Sequence, residues 1–192
     1  MKKTVLWAGI ACAAIALAIA GDFARRSLLA PETSNTPTIP GITLAPADLE
    51  AASAALFQQT FPDAQGNQQA LQQWRGKVLV VNFWATWCGP CRVEMPEFAE
   101  VSQQYAQEGV QFIGVGIDSA ANILKFEQAT PMPYPLLVAG PQALGLASLF
   151  GNTAQALPFT VIIDREGKVS TIKLGVLKRS ELEGKIRPLL AS

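Results

Sequence analysis

Two cysteines three residues apart, in Trp87-Cys88-Gly89-Pro90-Cys91, carry the chemistry available to this chain. They follow the run Val78-Leu79-Val80-Val81-Asn82-Phe83-Trp84, β-branched and aromatic enough for a buried strand. Beyond them apolar residues return at helical spacing at Val93, Pro96, Phe98, Val101 and Tyr105. The pair therefore falls where a strand ends and a helix begins. A thiolate there faces free backbone N–H groups and the positive end of the helix dipole, which stabilise its charge. Cys88 takes the end position, and Cys91 lies on the same side of the first turn. Pro90 suits an early helical position, where its missing N–H costs nothing. Gly89 removes side-chain bulk beside the sulfur. This is the setting of a reversible dithiol/disulfide pair.

Blander roles fit less well. A zinc site needs about four ligands, whereas the chain has no histidine and only one further cysteine, Cys12, inside an N-terminal apolar segment. Cys12 reads as a small packing residue, and no metal site is expected. A Cys88–Cys91 bridge closes too small a loop to constrain much of the unfolded chain, so a purely structural disulfide explains little. Two inert core cysteines would not need Gly-Pro between them at a strand–helix junction.

The elements that must position the pair can be read on either side of it. The 192 residues suit one domain with an appendage, and a 49% hydrophobic composition can fill a core. Lys+Arg and Asp+Glu balance at 15 each, so no nucleic-acid or anionic-polymer partner is expected. Residues 1–24 read as a targeting segment: Lys2-Lys3, then no charge from Val5 to Ala20, then Asp22 and Arg25-Arg26. Ala18-Ile19-Ala20 has the pattern of a signal-peptidase site, and the run is slightly short of the about 20 residues that span a bilayer. A signal anchor through residues 5–20 and cleavage after Ala20 are both open. Cys12 lies in the middle of the run, behind Gly9, which makes a poor lipoprotein signal. Residues 25–54, rich in Pro, Thr and Ala, read as a spacer, with a short helix of no clear role over Ala45 to Ala55.

A folded domain is expected over 55–192. It starts with a β-hairpin built from Leu56-Phe57 and Thr60-Phe61-Pro62-Asp63 with a turn at Gly66-Asn67, then a short helical turn with Leu71 and Trp74. After the cysteine helix come a strand over Val110–Asp118, a helix capped by Asp118-Ser119, and a short strand at Leu136–Val138. A further helix with Leu144 to Phe150 precedes the hairpin of Phe159–Asp164 and Lys168–Leu174. Ser180-Glu181-Leu182-Glu183 reads as a capping box opening the last helix. The order is βαβ, an extra helix, then ββα.

The stretch Gly76 to Arg92 with Glu94-Met95-Pro96, and the second stretch Ala156-Leu157-Pro158-Phe159-Thr160-Val161-Ile162-Ile163-Asp164, resemble the thioredoxin superfamily. The resemblance is closest to its TlpA/ResA-like thiol–disulfide oxidoreductases and spans roughly residues 56–190. It implies an α/β thioredoxin fold, a central mixed sheet flanked by helices, with an N-terminal β-hairpin extension and a central helical insertion. It implies Cys88 and Cys91 as the catalytic pair and a cis Pro158 facing them, with the backbone of Leu157 pairing an extended substrate segment. Trp87, Gly89 and Pro90 complete the surroundings, Trp87 exposed as a contact surface, and Pro96 matches a helix-kinking proline.

Asn82 departs from thioredoxin, which has an acidic residue there able to take a proton. Glu94 and Asp118 are the candidate replacements, yet either could be a cap or a solvated helix residue, and the proton could exchange with water instead. Arg92 could add positive potential near Cys88 or point to solvent. The resemblance further implies a monomeric enzyme that reduces protein disulfides on the periplasmic side of a bacterial inner membrane, with relatives often anchored. It needs no cofactor beyond its own disulfide, draws electrons from a membrane thiol transporter, and serves cytochrome c maturation, copper-site assembly or redox homeostasis. Two other classes remain: a redox-sensing or cuprous-ion-handling protein, and a peroxiredoxin-like peroxidase, whose branch normally has Thr-x-x-Cys.

Overall fold

The computed structural model describes residues 44–191. The expected signal segment, Cys12, the cleavage site after Ala20 and most of the spacer lie outside the described residues. Among those described, no helix is long and apolar enough to cross a membrane.

The centre is the strand β3, Val78–Trp84, in which every residue is buried. It pairs in parallel with β4, Val110–Gly116, and antiparallel with β6, Phe159–Ile163. The short β5, Leu136–Val138, lies parallel to β4, and β7, Val169–Leu174, antiparallel to β6, giving the order β5-β4-β3-β6-β7. This is the expected mixed sheet. Side chains alternate across a strand, so Leu79, Val81 and Phe83 enter one core while Val78, Val80 and Trp84 enter the other.

The second of these cores is covered by helices α2 (Gly89–Tyr105), α3 (Ala120–Ala129) and α5 (Arg179–Ile186), through Met95, Phe98, Ile123, Leu182 and Ile186. The first is covered by α1 (Pro46–Phe57) and α4 (Gln142–Leu149). Between β4 and β6 the chain thus inserts α3, β5 and α4. The hairpin β1 (Thr60–Pro62) and β2 (Gln68–Ala70) precedes the sheet, and an isolated bridge from Asp63 to Leu137 brings it against the β5 edge.

Four expectations need correction. Helix α1 crosses the proposed boundary at residue 54 and is part of the core: Leu49, Ala52, Leu56 and Phe57 are buried in it. Ser53 Oγ donates to Gly167 O at 2.6 Å, tying α1 to the β6–β7 turn. Pro46 in the first turn and Asp48, which accepts the Ala45 N–H at 3.3 Å, start this helix, so Leu56-Phe57 ends a helix and does not begin a strand. Ser180 does not cap α5 either: that helix begins at Arg179, and its N-cap residue Lys178 makes no side-chain cap bond. Finally, Val93 is 69% exposed while Glu94 is 1% exposed, reversing the expected polarity of that turn of α2.

Candidate active site

β3 delivers the chain to the surface at Thr86 and Trp87, and α2 starts at once. Cys88 is the N-cap of α2, with φ −80° and ψ 102°. Its Sγ accepts the Cys91 N–H at 3.2 Å, taking the place that a serine or aspartate oxygen holds at other helix starts. The two cysteines form a disulfide, their Cα atoms 5.3 Å apart. Cys88 is 5% exposed and Cys91 fully buried, so of the pair only Cys88 reaches solvent. Trp87, 70% exposed, stands beside it, whereas Trp84 is buried beneath. Gly89, Pro90 and Arg92 are exposed on the first turn.

The Leu157–Pro158 bond is cis, the geometry the resemblance implies. Pro158 is buried and Leu157 half-buried, packed against both cores, including the one that holds Cys88 and Cys91.

One turn along α2 from Cys91, two of the candidate residues, Asn82 and Glu94, meet in a buried polar cluster. Glu94 follows Cys91 by three residues, so both side chains leave the same face of α2. Its Oε1 accepts from Asn82 Nδ2 at 2.8 Å, and its Oε2 accepts the Leu177 N–H at 2.9 Å. Asn82 Nδ2 also reaches Thr160 Oγ1 at 3.2 Å, linking β3, β6 and α2. Burial pushes the Glu94 carboxyl up to about 7, with the charge of Glu97 adding to the rise and the Leu177 and Asn82 hydrogen bonds opposing it. Burial, with the charge of Glu94, also raises the Tyr134 hydroxyl far above its ordinary value. Glu94 is therefore neither solvated nor a simple cap. It is a buried carboxylic acid that can gain or lose a proton near neutrality, on the same helix face as the buried sulfur.

Asp118 is placed differently. Thr86 Oγ1 donates to its Oδ2, while Ser119 N and Asn122 Nδ2 donate to Oδ1, each at 2.7 Å. Burial alone would raise this carboxyl, but these hydrogen bonds outweigh it and hold the group below its ordinary range. Asp118 ties the Thr86 loop to the start of α3, and its hydrogen bonds go to Thr86, Ser119 and Asn122, not to sulfur. The sequence signal that decides between a buried and a solvated Glu94 is the stripe Cys91, Met95, Phe98, Val101, whose spacing puts position 94 on the inner face.

Residues 38–186 match the redoxin family. The chain is 31% identical over 122 residues to the thiol–disulfide oxidoreductase ResA of Geobacillus thermodenitrificans (strain NG80-2), covering 63% of this chain and 68% of that protein. It is 30% identical over 125 residues to the thioredoxin-like protein YneN of Bacillus subtilis (strain 168), covering 63% and 70%. Among solved structures, a putative thiol:disulfide interchange protein DsbE from Chlorobium tepidum superposes with a TM-score of 0.61 at 27% identity, covering 69% of this chain and 92% of that one.

Proposed function

The chain belongs to the redoxin family as a TlpA/ResA-like member of the thioredoxin superfamily and is a thiol–disulfide oxidoreductase; from that premise we propose that it reduces protein disulfides. The observation that carries this is the Cys88–Cys91 disulfide seated at the N-terminus of α2. In the reduced enzyme the Cys88 thiolate, favoured by the Cys91 N–H and the helix dipole, attacks one sulfur of a target disulfide. The target's other sulfur leaves as a thiolate and takes a proton from water. Cys91 then gives its proton to Glu94, and its thiolate attacks Cys88 Sγ. The Cys88–Cys91 disulfide forms, the target's second sulfur leaves as a thiolate and takes up the proton that Glu94 releases, and the target has gained two electrons and two protons. A carboxyl near 7 suits this transfer, because an ordinary thiol titrates only about 1.5 units higher.

The setting we infer is the outer side of a bacterial inner membrane, on the strength of Lys2-Lys3 and the uncharged run from Val5 to Ala20. The protein works there as a monomer, anchored through that run or released after Ala20. In an oxidising compartment a reductant must be recharged, and a membrane thiol transporter would supply the electrons. Apocytochrome c and copper-handling proteins of oxidase assembly are the targets this setting favours. The dithiol is the whole redox group, with no cofactor.

Equilibration of the protein in defined thiol buffers tests the direction. A potential near that of thioredoxin, about −270 mV, is expected; one near that of DsbA, about −120 mV, would make the protein an oxidant and overturn the proposal.

A further inference from the structure

The segment leading into the cis proline is closed by Asn152, a residue 2% exposed. Its amide makes two hydrogen bonds to one residue: Nδ2 donates to Ala156 O at 2.9 Å, and Oδ1 accepts from Ala156 N at 3.1 Å. Between them the chain turns tightly, with Gln155 N donating to Asn152 O at 3.1 Å and Gln155 at φ +53°. Asn152 thus pairs with Ala156 as a neighbouring strand would, and Ala156 has no unpaired backbone group.

Leu157 is the opposite. Among the described residues neither its N–H nor its C=O has a hydrogen-bond partner. Strand β6 starts only at Phe159, which faces Phe83 and Leu174. The side chain of Leu157 packs into the core that holds both sulfurs. A free N–H and a free C=O on one residue are what an extended polypeptide needs to add as a strand.

We propose that Asn152 is a positioning residue that sets the docking register: by taking up both backbone groups of Ala156, it leaves Leu157 to pair with an extended, disulfide-bearing segment. The proposal rests on the reading of the site as a reductase of polypeptide disulfides. A disulfide without a peptide backbone has nothing to pair with Leu157, so Asn152 matters for polypeptide substrates and not for small ones.

The test mixes pre-reduced full chain with insulin or with bis(2-hydroxyethyl) disulfide and follows oxidation by tryptophan fluorescence. Asn152→Ala raises the half-saturating insulin concentration about tenfold, the loss expected when a preformed edge must be ordered on binding. The limiting rate, the rate with the small disulfide and the Cys88–Cys91 potential stay unchanged. A second measurement keeps the loop intact. In the Cys91→Ala protein the Ala156 amide is protected from hydrogen exchange and the Leu157 amide is not, until insulin is trapped on Cys88, when Leu157 becomes protected. An Asn152→Ala protein that changes both substrates alike or neither, or a Leu157 amide that stays unprotected in the trapped complex, overturns the register role alone. If the unaltered protein reduces neither substrate, the reading of the site fails and the register role falls with it.

Discussion

Helices α2 and α5 lie in the same layer, and their N-termini are treated in opposite ways. At α2 the cap is a sulfur: Cys88 Sγ accepts the Cys91 N–H, and the first turn holds no acidic residue. At α5 the N-cap side chain does nothing, and two carboxylates from α2 meet the backbone instead. Glu94 Oε2 accepts Leu177 N at 2.9 Å, and Glu97 Oε2 accepts Arg179 N at 2.6 Å. The same backbone charge is thus left for chemistry at one helix and neutralised at the other. Glu94 belongs to both, since it holds the approach to α5 and sits three residues beyond Cys91. The proton Glu94 takes from sulfur weakens its grip on α5, and Glu94 must lose that proton before the site can accept the next one.

The largest effects come from removing the sulfur. Cys88→Ala leaves no turnover above background with insulin. Cys91→Ala still forms the mixed disulfide and then stops, which mass spectrometry detects as a covalent adduct.

Glu94→Gln comes next and separates the two roles. In the folded protein this carboxyl lies near 7, raised above its ordinary 4.5. Between those values the native state holds a proton that the unfolded state has released, so stability is greatest below pH 4.5 and falls as pH rises through 7. The fall is about 3 kcal/mol. Urea denaturation of the oxidised protein between pH 4.5 and 8 is expected to show it, and Glu94→Gln is expected to flatten it. The collapse of the mixed disulfide at pH 7 is expected to slow about 10–100-fold in Glu94→Gln and to lose its inflection near 7. A flat stability profile with unchanged collapse would leave Glu94 as a fold residue only.

Asp118→Asn sharpens the contrast from outside. Its hydrogen bonds favour the charged form, so its contribution is present above the ordinary carboxylate range and is lost as pH falls. Replacement is expected to remove about 1 kcal/mol at pH 7 and to leave the dithiol potential unchanged. A shifted potential would show that the Thr86 loop transmits its charge to sulfur.

What was legible in the sequence was whatever local pattern decides. The all-apolar run of β3, the turn at Gly66-Asn67, the β6–β7 hairpin and the helix start at Cys88 each rest on residues within one element. The misread places depend on phase or on distant partners. By type Val93 belongs with the apolar side, yet the stripe from Cys91 through Met95 to Phe98 turns it outward and brings Glu94 in. In α1 alanines lie all round the helix and blur the 3.6 period, hiding the buried edge of Leu49, Ala52 and Leu56. The start of α5 depends on Glu97, 82 residues away, which no capping pattern near Ser180 could reveal. Asn152 is an ordinary loop asparagine until the fold shows both its bonds ending on Ala156.

The smallest effect tests whether burial, and not position alone, divides the two carboxylates of α2. Glu97 bonds one amide at the start of α5 just as Glu94 bonds another, but Glu97 is exposed. A charge near a helix N-terminus contributes about 0.3–1 kcal/mol at the surface, and solvent screening keeps it at the low end. The neighbouring guanidinium of Arg179 stays anchored by Glu100 at 2.5 Å and Glu183 at 2.8 Å, so little else moves. Glu97→Gln is expected to remove about 0.5 kcal/mol in dilute buffer and almost nothing at 1 M salt, where the Debye length is about 3 Å. The pH-dependent effect of Glu94→Gln should persist at that salt, because no ions reach a side chain 1% exposed. If both differences vanish together in 1 M salt, Glu94 is in contact with solvent, and the proton it takes from Cys91 goes to water.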